Sequence, residues 1–269
     1  MLHVIIPTTG GAAFDAMWLA YCRWHDGYAT GGSRPVVTVM ASNGQAINQA
    51  VRDVCRCVDW KRRVGYVDAV NGAYALLRPQ KEFAPLSALD YVAVLNDDVI
   101  VEGDWITPLM AALKDGAAQV GPSVHHVGRD GFWGRGDEPY QFVEGWCWMA
   151  SVGTIEKAAA VTYRGIGVGG IYDSAFSPGY CEDQDLSIRT QKTGGKIQQV
   201  DVPIRHLRSQ TFGKSREPWW SRNRQYLIQK WRLDESQREP EGPREGEEGR
   251  RHAHGQEGNA HEGEARQGV

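Results

Sequence analysis

Three polar clusters in this chain have the residue types and spacing to do chemistry. The first, Asn96-Asp97-Asp98, follows directly on the apolar run Tyr91-Val92-Ala93-Val94-Leu95. Two carboxylates and an amide at a strand exit offer the oxygen donors that hard cations such as Mg²⁺ and Mn²⁺ take, with diphosphate oxygens completing the shell. An ordinary Asp-rich turn has the same composition, so the tripeptide alone does not decide. The second cluster, Glu182-Asp183-Gln184-Asp185, opens a helical stretch. Acidic residues there complement the helix dipole and cap free N–H groups; the chemical reading is a general base that takes a proton from an attacking hydroxyl. The third is His206, at a strand end that runs into the polar loop Leu207-Arg208-Ser209-Gln210. A lone histidine is more often structural, and a ligand role follows only from a carboxylate metal site elsewhere.

The elements that must position these clusters alternate in strand and helix patterns, the signature of an α/β fold with a largely parallel sheet. Leu2 to Ile6 reads as a strand stopped by Pro7, and Phe14, Met17, Trp18 and Tyr21 then fall on one helical face. Val36 to Met40 is a second strand, followed by a helix with Ile47, Val51 and Val54 on its inner face. A third unit runs through Gly65-Tyr66-Val67 into a helical stretch ending before Pro79. The continuous apolar run Tyr91 to Leu95 predicts a strand in the middle of the sheet, with Asn96-Asp97-Asp98 at its carboxyl end, where open α/β sheets bind ligands. Beyond it come a helix from about Asp104 to Lys114, a strand near Val120, a strand Phe142 to Ala150, and a helical segment from Tyr180 to Gly194-Gly195. Strands at Ile197 to Val200 and Pro203 to His206 and a helix Trp219 to Trp231 complete the body.

The 269 residues are 41% apolar and 10% aromatic, with a net charge of −3. From Asp234 onward ten acidic and five basic residues accompany Gly, Gln and His with no aromatic group, leaving the first 233 residues at about +2. Residues 234–269 therefore read as a disordered tail, and residues 1–233 as one folded domain. His252, His254 and His261 in that tail lack the fixed geometry a metal site needs. Neither part is basic enough to mark a nucleic-acid binder by charge alone. Cys22, Cys55, Cys57, Cys147 and Cys181 are odd in number and unpaired in spacing, which argues against a disulfide framework or structural zinc. No apolar run reaches about 18 residues and the start lacks a signal-peptide pattern, so the expectation is a cytoplasmic chain with no membrane span.

The order of these segments resembles glycosyltransferase family 2 of the GT-A superfamily, in its rhamnosyltransferase-like branch, over about residues 2 to 231. Val4-Ile5-Ile6-Pro7-Thr8-Thr9 resembles the opening strand and Pro-Thr turn beside the nucleotide. Gly65-Tyr66-Val67-Asp68-Ala69-Val70-Asn71 is similar to the family's G-F-A-x-A-x-N segment, and Asn96-Asp97-Asp98 followed by Trp105 to its D-x-D site in the N-x-D form. Glu144-Gly145-Trp146-Cys147-Trp148-Met149 resembles the segment beside the donor sugar and acceptor, and Gly179 to Leu186 the G-x-x-E-D-x-D-L motif. Each motif is weak by itself; five in the right order are not.

The resemblance implies a GT-A fold and an inverting, metal-dependent transfer from a nucleotide-diphosphate sugar to an acceptor hydroxyl. It implies Asp98 and His206 as ligands to Mn²⁺ or Mg²⁺, Asn96 and Asp97 positioning the metal or the ribose, Asp183 as the base, and Glu182 supporting it. Pro7, Thr8, Thr9, Ser42, Asn43, Asn71 and Trp146 would line the donor. One departure is Ser42-Asn43-Gly44-Gln45 where the family has D-N-G-S, so the charged contact to the nucleobase is replaced by a hydroxyl and the base stays open. Two other readings stand beside this one. A sugar nucleotidyltransferase shares the metal logic, but Thr8-Thr9-Gly10-Gly11-Ala12 has no cation for a triphosphate. A non-catalytic nucleotide-sugar or glycan-binding module would not need both Asp98 and Asp183. The acceptor stays open between a glycan, a small molecule, a protein and a hydroxymethylated DNA base. The last would want a basic channel, for which Arg205, Arg208, Lys214, Arg216, Arg222 and Arg224 are the candidates.

Overall fold

Short apolar runs bounded by turn residues become strands, and the periodic stretches between them become helices. A computed structural model describes residues 1–30, 36–42, 47–60, 64–77, 86–207 and 217–234. The first half comprises β1 (Leu2–Thr8), α1 (Ala12–Thr30), β2 (Val36–Ser42), α2 (Gln49–Arg52), β3 (Arg56–Asp59), α3 (Tyr66–Leu77), β4 (Tyr91–Leu95), β5 (Val99–Val101) and α4 (Ile106–Lys114). Then follow β6 (Gln119–Gly121), β7 (Val124–Val127), β8 (Trp133–Gly134), β9 (Gln141–Val143), β10 (Cys147–Ser151), α5 (Val152–Ala159), α6 (Glu182–Lys192), β11 (Ile197–Gln199), β12 (Ile204–His206) and α7 (Trp219–Trp231).

Seven strands form one sheet in the order β11-β6-β10-β4-β1-β2-β3. Only β10 runs antiparallel to its neighbours β4 and β6, so the expected α/β fold with a mostly parallel sheet is the one observed. β4 lies at its middle, as the uninterrupted apolar run requires for a strand covered on both faces. Alternate residues divide the core in two. Val4, Ile6, Met40, Ala93, Leu95 and Met149 face one side, against Phe14, Met17 and Tyr21 of α1 and Ile106 and Leu109 of α4. Ile5, Val92, Val94, Trp148 and Ala150 face the other, under α3, α5, α6 and α7. β1, β2 and β4 are parallel, so their carboxyl ends share one edge, and residues 96–98 leave the sheet beside Thr8-Thr9-Gly10.

Several expected boundaries move, each for a physical reason. β1 does not stop at Pro7 but runs to Thr8; its ladder with β4 ends at Ile5, so a proline beyond that point removes no bond from it. β2 likewise extends past Met40 to Ser42. Tyr66-Val67 begins α3 and is not a strand; the third strand is β3, four residues long. The expected strand Phe142 to Ala150 is two strands in different sheets, β9 paired to β7 and β10 paired to β4, with Glu144-Gly145-Trp146 as the corner. The helical segment expected from Tyr180 starts at Glu182, because Tyr180 and Cys181 both have left-handed backbone, φ 77° and 66°. α4 begins at Ile106, with Asp104 Oδ1 accepting from the N–H groups of Ile106 and Thr107 at 3.1 and 3.0 Å. No disulfide joins any two of the five cysteines. Beyond Asp234 the expected tail lies outside the described residues, and among the described residues no helix is long and apolar enough to cross a membrane.

α6 and α7 are tied through a buried charge cluster. Asp185 accepts from Arg189 Nε at 2.8 Å on one oxygen, and from Lys230 Nζ at 2.7 Å and Trp231 Nε1 at 3.0 Å on the other. Lys230 also reaches Asp173 at 2.7 Å, and Arg189 donates to the Ile171 carbonyl at 2.8 Å. Two acids thus balance two bases where water is excluded.

Candidate active site

Parallel strand ends, the corner between β9 and β10, and the first turn of α6 meet around one cavity of about 260 Å³. Asn96, Trp146, Glu182, Asp183 and His206 all line it, so members of the three clusters separated in sequence are brought together.

The three residues of the first cluster have different surroundings. Asp97 is buried, and its Oδ2 accepts from the Thr8 hydroxyl at 2.8 Å and the Thr9 N–H at 3.1 Å. Thr8 Oγ1 in turn accepts from the Gly10 N–H at 2.8 Å, so Asp97 fixes the loop after β1 to the exit of β4. Asn96 is anchored by its N–H to the Trp146 carbonyl at 2.9 Å, while its buried side-chain oxygen has no protein donor. Asp98 places Oδ1 3.2 Å from His206 Nε2, and its carbonyl accepts from the Leu207 N–H at 2.8 Å. The imidazole of His206 stacks on the Trp146 indole, 4.8 Å between centroids and 11° apart, and the indole N–H donates to Glu144 Oε2 at 2.7 Å. Orientation of the histidine is therefore set by an aromatic plate and not by its own strand alone.

The 3.2 Å between Asp98 and His206 is that of a hydrogen bond or ion pair, and it also suits two groups sharing one divalent cation. Two ligands each about 2.1 Å from an ion and at right angles are about 3 Å apart, close to the separation found here. Among the described residues no group of three or more His, Cys, Asp or Glu side chains could hold a metal. A two-residue set leaves the other coordination positions to phosphate oxygens and water, the usual arrangement for a Mg²⁺-type ion at a nucleotide.

Opposite this pair stand Glu182 and Asp183. Asp183 is half-buried, its Oδ2 accepting from the Gly145 N–H at 3.0 Å and its Oδ1 from the Gln184 N–H at 2.8 Å. Loss of water around the carboxyl pushes its pKa up to about 6; the Glu144 charge adds to this, and the two N–H donors oppose it. Glu182 is more deeply buried, with Oε2 lacking a partner, and desolvation together with the Asp183 charge pushes its pKa well above the carboxylate range. Burial and mutual repulsion oppose two charges here, and Asp183, with two N–H donors, is the better placed of the two to carry one.

The backbone that delivers these carboxylates is strained and held from outside. Two consecutive non-glycine residues in the left-handed region, Tyr180 and Cys181, cost about 1–3 kcal/mol each. Asn223 of α7, fully buried, sends its side-chain amide to the carbonyls of Phe176 and Gly179, both at 2.6 Å, and Tyr180 at 3.2 Å. Tyr66 donates its hydroxyl to the Gly145 carbonyl at 2.7 Å, fixing the peptide next to the one that bonds Asp183.

The remaining expected residues fall as follows. Pro7, Thr8 and Thr9 lie at the carboxyl end of β1, and Thr8 is in register with Ser42 of β2. Asn43 lies outside the described residues. Asn71 turns its amide to Tyr172, donating to the carbonyl at 2.8 Å and accepting from the N–H at 2.9 Å. Gly170 permits that approach, since a Cβ there would come 2.6 Å from Asn71 Oδ1. Of the basic residues considered for a nucleic-acid channel, Arg205 bonds Glu102, Arg222 the Ser177 carbonyl and Arg224 the Asp130 carbonyl; Arg208, Lys214 and Arg216 lie outside the described residues.

Tyr66 and Glu144 stand inside segments that resemble the family's motifs, without a role of their own, and Asn223 in none; here they orient Gly145, Trp146 and the strained turn.

No protein-family model matches the sequence, and no curated protein matches it. Among solved structures, the catalytic domain of Drosophila beta1,4-galactosyltransferase 7 in complex with xylobiose is similar at 10% identity and a TM-score of 0.40, over 79% of this chain and 73% of that one. A mutant of that enzyme with manganese, UDP-Gal and xylobiose gives 8% and 0.40 over the same shares. The Francisella tularensis 2-C-methyl-D-erythritol 4-phosphate cytidylyltransferase gives 13% and 0.41, over 85% of this chain and 99% of that one. At these values the likenesses carry nothing about what this chain binds, which is read from its own residues.

Proposed function

We propose that this chain is a metal-dependent, inverting GT-A glycosyltransferase that moves a sugar from a nucleotide-diphosphate sugar to an acceptor hydroxyl. The observation that carries the reading is the convergence on one cavity of the Asp183 carboxyl with the Asn96, Trp146 and His206 wall, behind which Asp98 meets His206. Each Asp183 oxygen spends one lone pair on a backbone N–H and keeps others free, so the carboxylate is oriented yet able to accept a proton.

In this reading Asp183 takes the proton of the acceptor hydroxyl as that oxygen forms a bond to the anomeric carbon. The bond from that carbon to the diphosphate oxygen breaks on the opposite face, which inverts the centre. Asp98 and His206 would hold Mn²⁺ or Mg²⁺, which when bound would neutralise charge on the departing diphosphate. Asn96 offers its side-chain oxygen at the same wall, and Glu182 stands beside Asp183 with its ionisation opposed by burial and by the Asp183 charge. Pro7, Thr8 and Thr9 with Ser42 form the strand-end ledge for the nucleotide, in a single domain over residues 1–233. A nucleotidyltransferase would instead need cations on the Thr8–Ala12 loop, which has none.

The test is thermal stability of the chain against UDP, GDP, dTDP and CMP sugars, with Mn²⁺ and with EDTA. A ligand bound only by the folded state raises Tm by mass action, and at a hundredfold excess over Kd stabilises by about 2.7 kcal/mol. One nucleotide class is expected to raise Tm in Mn²⁺, with the shift abolished by EDTA and in Asp98→Ala. A nucleoside triphosphate shifting Tm in place of every nucleotide sugar would transfer the chain to the nucleotidyltransferase reading.

The reading also fixes a pH dependence. Asp183 must be ionised to act, so kcat/KM is expected to fall below about pH 6 with the loss of one proton-accepting group. Glu144→Gln removes the charge that helps raise this pKa while keeping an acceptor for the Trp146 N–H, and is expected to move the acid limb to lower pH. An unmoved or rising limb would remove Asp183 as the titrating base.

A further inference from the structure

The mouth of the cavity is aromatic, exposed and braced. Trp133, 65% exposed, lies flat on His125 at 4.2 Å and 5°, and His125 is held by Ser123 at 3.0 Å. Beside it Phe132, 42% exposed, meets Trp220 at 4.7 Å, with the Arg224 guanidinium 4.2 Å from the Phe132 centroid and fastened to Asp130. Exposed rings of this size normally turn inward; here they line the same cavity as Asp183 and are fixed from below by polar groups. Inside the rim the acidic groups are Glu144, Glu182 and Asp183, beside the neutral Asn96, Gln184 and Tyr66, and no lysine or arginine is among the described lining residues. Glu182 Oε2 is buried without a partner beside this space.

We propose that this rim is the acceptor subsite and that it takes an uncharged pyranose ring of a glycan or glycoside, a statement that rests on reading Asp183 as the base. A pyranose has an apolar C–H face, which Trp133 and the Phe132–Trp220 pair stack against, and hydroxyl edges that hydrogen-bond to carboxyls. A uronate or a phosphodiester would bring negative charge against Glu144 and Asp183, an unfavourable contact in a cavity of reduced dielectric. A flipped DNA base could stack equally well, but Arg205 and Arg224 are paired with Glu102 and Asp130, and neither they nor Arg222 line the cavity. Neutral sugar is therefore the ligand the charges favour.

Calorimetric titration of the full chain tests this with methyl pyranosides of glucose, galactose and mannose and their β-1,4-linked disaccharides. The matched methyl glucuronide and a single-stranded oligonucleotide containing 5-hydroxymethylcytosine serve as charged probes. At least one neutral glycoside is expected to bind, more tightly than the glucuronide. Trp133→Ala should weaken it about tenfold, with Trp133→Phe recovering most of the loss. Trp133 is mostly in solvent, so the unfolding midpoint of both variants should stay at the wild-type value. Failure of every neutral glycoside, indifference to Trp133, or preference for the oligonucleotide would each overturn the subsite. A donor titration in Mn²⁺ separates the two claims. Donor binding with Trp133-independent glycoside binding overturns the subsite alone; Trp133-dependent glycoside binding without any donor supports the subsite and removes the transferase.

Discussion

Asp183→Asn is expected to lower kcat by about 10²- to 10⁴-fold, the range a positioned general base contributes, while the nucleotide-sugar shift in Tm persists. The side chain keeps its shape, but both oxygens of Asp183 now accept from backbone N–H groups, of Gly145 and Gln184. An amide must turn its NH₂ toward one of them, losing that bond. Against this stands the removal of a buried anion whose pKa is raised to about 6. A carboxyl with a raised folded-state pKa contributes stability that is complete below its unfolded pKa near 3.8 and lost as pH climbs through about 6. Relative to Asp183→Asn, wild type is therefore expected to lose stability between about pH 4 and 6. Single-turnover kinetics with bound donor and urea melts at pH 4.5 and 7 check both halves. An Asp183→Asn enzyme within tenfold of wild type would exclude the general-base assignment.

Asp185→Ala is the largest expected effect on folding. It strips the shared acceptor from Arg189 and Lys230, two cations whose side chains are almost wholly buried, and leaves Trp231 Nε1 without its partner. Breaking a buried ion pair from one side costs about 3–5 kcal/mol, because the surviving charge stays in a medium that solvates it poorly. Against a total stability of about 5–15 kcal/mol that is a large share. Urea unfolding should show it as a lower midpoint. The triple variant Asp185→Leu, Arg189→Met, Lys230→Met, which removes all three charges together, should recover much of the loss. A single variant as stable as wild type would mean that water reaches the cluster.

The two acids of the same helical turn thus differ through surroundings that residue type does not reveal. Asp183 and Asp185 are two positions apart at the start of one helix, and in sequence each is an acidic residue suited to a helix amino-terminus. Asp183 faces the cavity and backbone N–H groups; Asp185 faces Arg189 one turn on and a helix that begins some thirty residues later. Asp97 and Asp98 divide likewise, one fastening the loop after β1 and the other meeting His206. Asn71 clamps Tyr172, and nothing local to residue 71 specifies that partner.

By itself the sequence determined the alternation of strands and helices, the central place of Tyr91 to Leu95, the acidic strand exit after it, and the amphipathic faces of the first and last helices. These follow from periodicity and from turn residues, which act over a few positions and are visible locally. Tertiary structure alone decided that Phe142 to Ala150 breaks at Glu144-Gly145-Trp146, that Trp146 plates His206, that burial, with the Glu144 charge adding to it, raises the pKa of Asp183, and that Asn223 secures the left-handed turn before it. Each of those depends on groups far apart in the chain meeting where water is excluded. There a single charge or N–H placed at 3 Å changes what a carboxylate can do.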